Sequence, residues 1–153
     1  MTTDKQEDTE VSDTQLAALL RQARTIAVVG LSPKADRPSY RVAAYLQQAG
    51  YRIIPVRPGM DTLLGEPCFP SLEAIPREIV VDIVDVFRQA DDTPPVAQAA
   101  VGLPAGSGES GRLFWLQSGI INDAALAIAR AGGWTGVQDR CLMIEHRRLL
   151  GGG

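Results

Sequence analysis

Hydrophobic residues along this chain follow two spacings, one typical of amphipathic helices and one of buried strands. Leu16, Leu19, Leu20 and Ala23 follow the helical spacing i, i+3, i+4 and i+7. Ser12 precedes this segment and is expected to cap it, because its hydroxyl can accept a hydrogen bond from a first-turn amide. Further helical segments are predicted at 42–49, 72–75, 94–100 and 122–131, with Thr93 and Asn122 as the caps of the last two.

Short apolar runs predict five strands, at 25–30, 51–56, 79–87, 113–117 and, more weakly, 136–138. Pro55 has no amide hydrogen to give to a sheet, so we expect it at the end of its strand. Helical segments separate the strands at intervals of about 25–30 residues, which is typical of right-handed crossovers between parallel strands. The pattern predicts an α/β protein with a doubly wound, mainly parallel five-stranded sheet and helices on both faces.

The 153 residues fit one domain, which we place at 12–150, after a disordered acidic tail at 1–11. Residues 1–13 hold five of the 18 acids and one of the 15 bases, so the other 140 residues carry 14 bases and 13 acids. The domain itself is therefore almost neutral. It has no basic patch interleaved with aromatic residues, which argues against nucleic-acid binding.

Composition also excludes several other classes of protein. No run of about 18 apolar residues predicts a membrane-spanning helix, and the polar start of the chain does not resemble a secretory signal. Cys68 and Cys141 are expected to be free thiols in a reducing compartment, and with the single histidine, His146, they are too few for a zinc site. We therefore expect a cytoplasmic protein with no bound metal and no membrane partner.

Parallel α/β sheets bind ligands beyond the carboxyl ends of their strands, which directs attention to the residues that follow each strand. Gly30 follows the first strand and permits a tight turn close to a phosphate. Ser32 and Ala35 occupy two positions where the dinucleotide fingerprint has glycine, so that fingerprint is incomplete. Arg37 and Ser39, together with Lys34, favour a phosphate-binding loop of another kind, the alternative being a glycine turn with solvated charges.

Arg57 lies at the end of the second strand, where a site for NAD would have an acidic residue. A guanidinium there favours an adenosine whose ribose carries a phosphate, as in NADP or coenzyme A. The plain alternative is a surface arginine.

Phe87 and Arg88 follow the third strand, where an aromatic ring and a guanidinium can pack against a nucleotide, although a phenylalanine is more often part of a core. The fourth strand ends in Gln117-Ser118-Gly119, a turn that lets a ligand approach backbone amides.

Six segments together resemble the stand-alone coenzyme A-binding proteins, whose fold is similar to the N-terminal coenzyme A-binding domain of the succinyl-CoA ligase alpha subunit. These are GLSPKADRPSYRVAAYL, IIPVRPG, LGEPCFPSL, VDIVDVFR, FWLQSGIIN and DRCLMIEHRRL, in order between about Thr25 and Leu149. The main departure is a longer connection at Leu103–Arg112, expected to be a surface insertion. The resemblance implies a Rossmann-like domain that holds coenzyme A across its strand ends.

The same resemblance implies a set of binding residues. In the first loop these residues are Gly30, Leu31, Ser32, Arg37, Ser39 and Tyr40. The segment after the second strand, on the adenosine side, contributes Val56, Arg57 and Pro58. The third loop contributes Phe87 and Arg88, and the fourth loop contributes Gln117 and Gly119. The family's physiological role is not well defined, so the resemblance implies a ligand more readily than a reaction.

Catalysis is not required by these residues. Glu145 and His146 form a possible acid–base pair, but a structural histidine is the plainer interpretation. Cys141 can be a thiol that exchanges with the coenzyme or a small residue at a turn. Asp82 and Asp85, three apart in one strand, are expected on opposite faces, with one bonded to backbone. The sequence thus predicts a non-catalytic carrier, sensor or regulatory protein that binds coenzyme A or an acyl-CoA; the alternative is an NADP-dependent oxidoreductase.

Overall fold

The computed structural model describes residues 11–105 and 111–151 of the protein. Seven strands occur there: β1 (Thr25–Val29), β2 (Arg52–Val56), β3 (Thr62–Leu63), β4 (Glu66–Pro67), β5 (Ile83–Val86), β6 (Leu113–Leu116) and β7 (Thr135–Val137). Five of them form a sheet in the order β2-β1-β5-β6-β7, and every neighbouring pair is parallel. The predicted parallel five-stranded α/β architecture is therefore confirmed.

Five α-helices accompany the sheet: α1 (Asp13–Gln22), α2 (Pro38–Gln48), α3 (Thr93–Val101), α4 (Asp123–Ala131) and α5 (Leu142–Leu149). Two predicted caps are present, because Ser12 accepts a hydrogen bond from the Gln15 amide and Asn122 accepts one from the Ala125 amide. None of the described helices is long and apolar enough to cross a membrane.

The strands are apolar on both faces, and successive residues alternate between two separate cores. Ile26, Val28, Ile83 and Trp115 belong to one core, together with residues of α1, α2 and α5. The alternate positions belong to the other core, together with residues of α3 and α4: Ala27, Val29, Ile54, Val56, Val84, Val86, Phe114 and Leu116. This double coverage is what the unbroken apolar runs of the sequence predicted.

Strand β5 is shorter than the predicted 79–87. Asp82 ends the irregular segment before it and turns its carboxylate to the sheet, where Oδ2 accepts hydrogen bonds from the Arg24 and Thr25 amides. This confirms that one of the two aspartates bonds to backbone. Asp85 faces the other way and is fully buried, and neither of its carboxylate oxygens has a hydrogen-bond partner in the described parts of the chain.

Further details differ from prediction. Pro55 lies inside β2 rather than at its end; β2 is an edge strand, so a missing amide costs no ladder bond, and the Pro55 carbonyl accepts from the Phe69 amide. Thr93 is the first residue of α3, not its cap, and its hydroxyl donates to the Ala90 carbonyl. The β3–β4 hairpin and helix α5 were not predicted. Most of the predicted tail lies outside the described residues, but Val11 is half-buried against the core.

Candidate ligand-binding site

Gly30 joins the ends of three strands at the carboxyl edge of the sheet. Its amide donates to the Val56 carbonyl at 2.9 Å, and the Phe87 amide donates to the Val29 carbonyl at 2.8 Å. Its φ is +85°, and a Cβ here would lie 2.3 Å from the Phe87 carbonyl oxygen. Both the backbone conformation and the available space therefore require glycine at this position.

The loop after Gly30 is held in shape by two serine side chains. The Ser39 hydroxyl, buried at the start of α2, accepts a hydrogen bond from the Ser32 amide at 2.9 Å, and the Ser32 hydroxyl accepts from the Lys34 amide at 3.1 Å. Ser39 therefore shapes the loop, while its hydroxyl hydrogen remains able to donate to a ligand.

Helix α2 begins with free amides. Arg37 occupies the N-cap position without capping the helix through its side chain, and Pro38 is the first helical residue. The Ser39 and Tyr40 amides that follow donate no hydrogen bond within the described residues. The end of this 11-residue helix therefore offers donors and a positive dipole to an anion.

A cavity of about 450 Å³, here called the basic cavity, lies at this loop. It is lined by Gly30, Ser32, Pro33, Lys34, Arg37, Pro38, Ser39, Arg57 and Phe87. Lys34, Arg37 and Arg57 all line it, and none of the three pairs with a carboxylate in the parts of the chain that the structure describes. Three uncompensated positive charges make this cavity suited to a polyanion.

A second cavity of about 540 Å³, the apolar cavity, adjoins the first, sharing Gly30 and Arg57 with it. It is lined by Val29, Gly30, Leu31, Val56, Arg57, Pro58, Pro70, Ser71, Leu72, Glu73, Arg88, Asp92, Pro95, Val96 and Ala99. The Arg88 side chain passes close to Gly30, its Cδ 3.2 Å from where a Cβ would stand, and pairs with Asp92 at 3.6 Å. The two cavities therefore form one site, cationic at one end and mainly apolar at the other.

A third depression, of about 620 Å³, shares Leu72, Glu73, Pro95 and Ala99 with the apolar cavity and extends along α3 to Ile128 of α4. It contains no strand end and no residue that the sequence analysis selected. Its larger volume therefore does not make it the better candidate, since the Gly30 turn and the cluster of three unpaired cations belong to the basic cavity.

Most residues that the sequence predicted for the site line these two cavities: Gly30, Leu31, Ser32, Arg37, Ser39, Val56, Arg57, Pro58, Phe87 and Arg88. Tyr40, Gln117 and Gly119 do not. Tyr40 packs against the core, and the Gln117 Oε1 accepts a hydrogen bond from the Leu142 amide at the start of α5. The Gly119 amide donates to Asp139 Oδ1 at 2.7 Å, so a ligand would have to displace that carboxylate to use it. Ligand binding by these three residues stays a prediction.

The residues considered for catalysis are separated from one another. Glu145 pairs with Arg148 and Arg140, whereas His146 packs edge-on against the rings of Tyr45 and Tyr51. Neighbouring residues of a helix do not face each other, so the proposed Glu145–His146 pair is not formed. Cys141 is a half-buried residue at the N-cap of α5 rather than a buried one at a turn.

Cys68 is buried, its Sγ lies 3.6 Å from the Arg57 carbonyl oxygen, and burial raises the pKa of its thiol. Its thiol form is therefore favoured, in agreement with an inert residue. Sequence reasoning missed Glu73 and Asp92, which line the apolar cavity. Both lie between the predicted strands on short 3₁₀ turns, where no periodic pattern marks a functional residue.

Fold and site together define a Rossmann-like α/β domain with a phosphate-suited loop at the carboxyl edge of its sheet. The chain matches the CoA binding domain family over residues 24–147, and it belongs to that family. It is 37% identical to the uncharacterized protein YneT of Bacillus subtilis over 135 residues. The aligned region covers 88% of this chain and 94% of the relative. It is also similar to an ADP-forming acetate–CoA ligase II of Archaeoglobus fulgidus, with 34% identity over 65 residues. These residues are 41% of this chain but 10% of the ligase.

Solved structures show the same fold. A protein from Thermus thermophilus superposes with a TM-score of 0.81 and 38% identity, over 92% of this chain and 100% of that one. A hypothetical protein from Pyrococcus horikoshii OT3 gives a TM-score of 0.83 and 32% identity, over 93% of this chain and 94% of that one. The Rossmann-like fold expected from the resemblance is therefore confirmed.

Proposed function

We propose that this protein binds coenzyme A or an acyl-CoA across the two adjoining cavities. The observation that carries the proposal is the difference between the linings of the two cavities. The basic cavity has three unpaired basic side chains, the other cavity is mainly apolar, and the two meet at Gly30 and Arg57. Coenzyme A has the matching division, because its phosphates are anionic and its adenine ring is flat and largely apolar. Membership of the CoA binding domain family supports the same ligand.

In this proposal the diphosphate lies in the basic cavity, near the free Ser39 and Tyr40 amides and the Lys34 and Arg37 side chains. Arg57, which lines both cavities, binds the ribose phosphate, and the adenine ring enters the apolar cavity beside Val56 and Pro58. The rigid Gly30 turn lets the ligand approach the backbone. The protein then acts as a non-catalytic carrier, sensor or regulatory protein.

An NADP-dependent oxidoreductase is the second candidate, because Arg57 suits a 2′-phosphate as well as a 3′-phosphate. Calorimetry with coenzyme A, NADP and NAD separates the two proposals, and native mass spectrometry of the purified protein identifies any ligand that it retains. We expect coenzyme A to bind most tightly. NADP binding as tight as that of coenzyme A would overturn the assignment.

A further inference from the structure

Glu73 stands out among the charged residues of the apolar cavity because it has no partner. Four charged side chains line this cavity: Arg57, Glu73, Arg88 and Asp92. Arg88 and Asp92 pair with each other, and the Arg57 Nε donates to the Pro58 carbonyl. Glu73 forms neither an ion pair nor a side-chain hydrogen bond with any residue in 11–105 or 111–151. A carboxylate at the edge of an apolar cavity is thus left available to a ligand.

The backbone holds Glu73 in this place. It is the middle residue of the 3₁₀ turn Leu72–Ala74, and its neighbours Leu72 and Ile75 are 3% and 4% exposed. Both pack in the same core as Val29 and Val56, the last residues of β1 and β2. The turn is therefore anchored to the strand ends that carry the proposed site, and its backbone places the exposed Glu73 side chain at the border between the apolar cavity and the third depression.

An ionised carboxylate only accepts hydrogen bonds, so the part of a ligand beside it must donate one. A phosphate placed next to the Glu73 carboxylate would be repelled, and a plain hydrocarbon would remove water from the carboxylate without replacing its hydrogen bonds. An aromatic base with an exocyclic amino group satisfies both properties of the cavity, since its ring is flat and apolar and its amino group donates.

We propose that Glu73 accepts a hydrogen bond from the exocyclic amino group of the bound base and thereby selects adenine over hypoxanthine. This inference rests on the proposed function, which places the adenine of coenzyme A in the apolar cavity. Hypoxanthine has nearly the same shape but carries a carbonyl oxygen where adenine has the amino group. The Glu73 carboxylate would repel that oxygen. Hypoxanthine also gains a hydrogen on the neighbouring ring nitrogen N1, so the discrimination requires the carboxylate to face the position of the amino group rather than N1.

The test is calorimetric titration of coenzyme A and of its hypoxanthine analogue into the wild type, Glu73→Gln and Glu78→Gln. Glu78 is an exposed acid that lines neither cavity, so its variant is a matched control for the loss of one negative charge. We expect the wild type and Glu78→Gln to prefer coenzyme A by about tenfold, the smaller effect of a hydrogen bond to a charged group. Glu73→Gln should bind both ligands within about twofold, because a carboxamide can accept from the amino group or donate to the carbonyl.

Equal preference for coenzyme A in the wild type and in Glu73→Gln would overturn the role of Glu73, and so would a wild type that binds both ligands equally. A wild type that binds coenzyme A tightly in either of these cases leaves the proposed function standing. Absence of coenzyme A binding by the wild type would instead overturn the proposed function, and the base assignment with it.

Discussion

The Tyr45 hydroxyl lies 2.8 Å from Nδ1 of His146, joining α2 to α5 across one face of the sheet. Burial lowers the pKa of His146, so the folded protein favours the neutral imidazole. The neutral imidazole contributes fully to the stability of the fold when the pH is above the ordinary histidine pKa of about 6.5. As the pH falls from that value through the lower folded-state pKa, the contribution is lost, because the unfolded chain takes up a proton more readily than the folded protein.

We therefore expect the stability of the wild type relative to His146→Phe to decrease as the pH falls from about 6.5 to 5, because the variant lacks the His146 contribution and shares the other titrating groups. The measurement is urea unfolding of both proteins across that range. The chain has no other histidine, so the variant is an unambiguous reference. An unchanged slope in His146→Phe would contradict a buried neutral histidine.

Asp85 should give a pH dependence of the opposite sign. Complete burial raises the pKa of its carboxyl group well above the ordinary value, so the folded state retains a proton that the unfolded chain releases above about pH 4. Its contribution to stability is full below that pH and is lost as the pH rises toward the folded-state pKa. Asp85→Asn cannot ionise, so its stability relative to the wild type should rise with pH above about pH 4, by at most about 1.4 kcal/mol per pH unit, until the pH reaches the folded-state pKa of the wild type.

Denaturant unfolding of Asp85→Asn and the wild type between pH 4 and 6 checks this prediction. Asp82→Asn is a useful comparison, because the Asp82 carboxylate accepts two backbone hydrogen bonds at the start of the sheet and is not fully buried. A constant difference between Asp85→Asn and the wild type over this range would show that Asp85 is ionised in the folded protein.

The sequence predicted the fold well, because the signal for a two-faced parallel sheet is strong. Each long apolar run became a strand, and residues such as Val28 and Val29 separated into different cores as their alternation requires. Helix α5 was missed because its buried face includes His146 beside Leu142, which weakens the apolar periodicity. The lengths of strands depended on local hydrogen bonds, as at Asp82, that no periodicity shows.

Site residues could be predicted from the sequence where the local backbone requires a particular residue type. Gly30 is the example, since its turn lies directly after a strand. The pairing of Gly119 with Asp139 could not be predicted, because it joins loops 20 residues apart and depends on Asp139 taking a φ of +59°. Glu73 was equally hidden, since its relation to the strand ends exists only once the 3₁₀ turn packs on β1 and β2.

Replacement of Gly30 tests whether close backbone approach organises the site. Gly30→Ala forces a side chain into a positive φ and against the Phe87 carbonyl, and we expect a loss of stability of about 3 kcal/mol. Gly59→Ala is the matched control, because Gly59 has the same φ of +85° but nothing within 4 Å of the added Cβ. Its loss should be about 1–2 kcal/mol, from backbone strain alone. Equal losses in the two variants, measured by urea unfolding, would show that the strand ends are not tightly packed at Gly30.

Deletion of the acidic N-terminus should leave the domain and its binding intact. We expect removal of residues 1–10 to change the Tm by less than about 1 °C, and removal through Val11 to lower it by no more than about 3 °C, because Val11 is half-buried against the core. Differential scanning calorimetry compares the two deletions with the full chain. A larger decrease for either, or weaker coenzyme A binding, would place the domain boundary earlier than residue 11.

The most direct test of the proposed binding is calorimetric titration of the wild type and Arg57→Ala with coenzyme A and with dephospho-coenzyme A, which lacks the ribose 3′-phosphate. Arg52→Ala, which removes an exposed arginine from the opposite end of β2, is the control for loss of charge. A hydrogen bond between charged groups contributes about 1.5–3 kcal/mol, so Arg57→Ala should bind coenzyme A roughly ten- to a hundredfold more weakly and dephospho-coenzyme A almost unchanged. Equal weakening for both ligands, or none for either, would contradict the contact between Arg57 and the phosphate, and a wild type that binds neither ligand would contradict the proposed function itself.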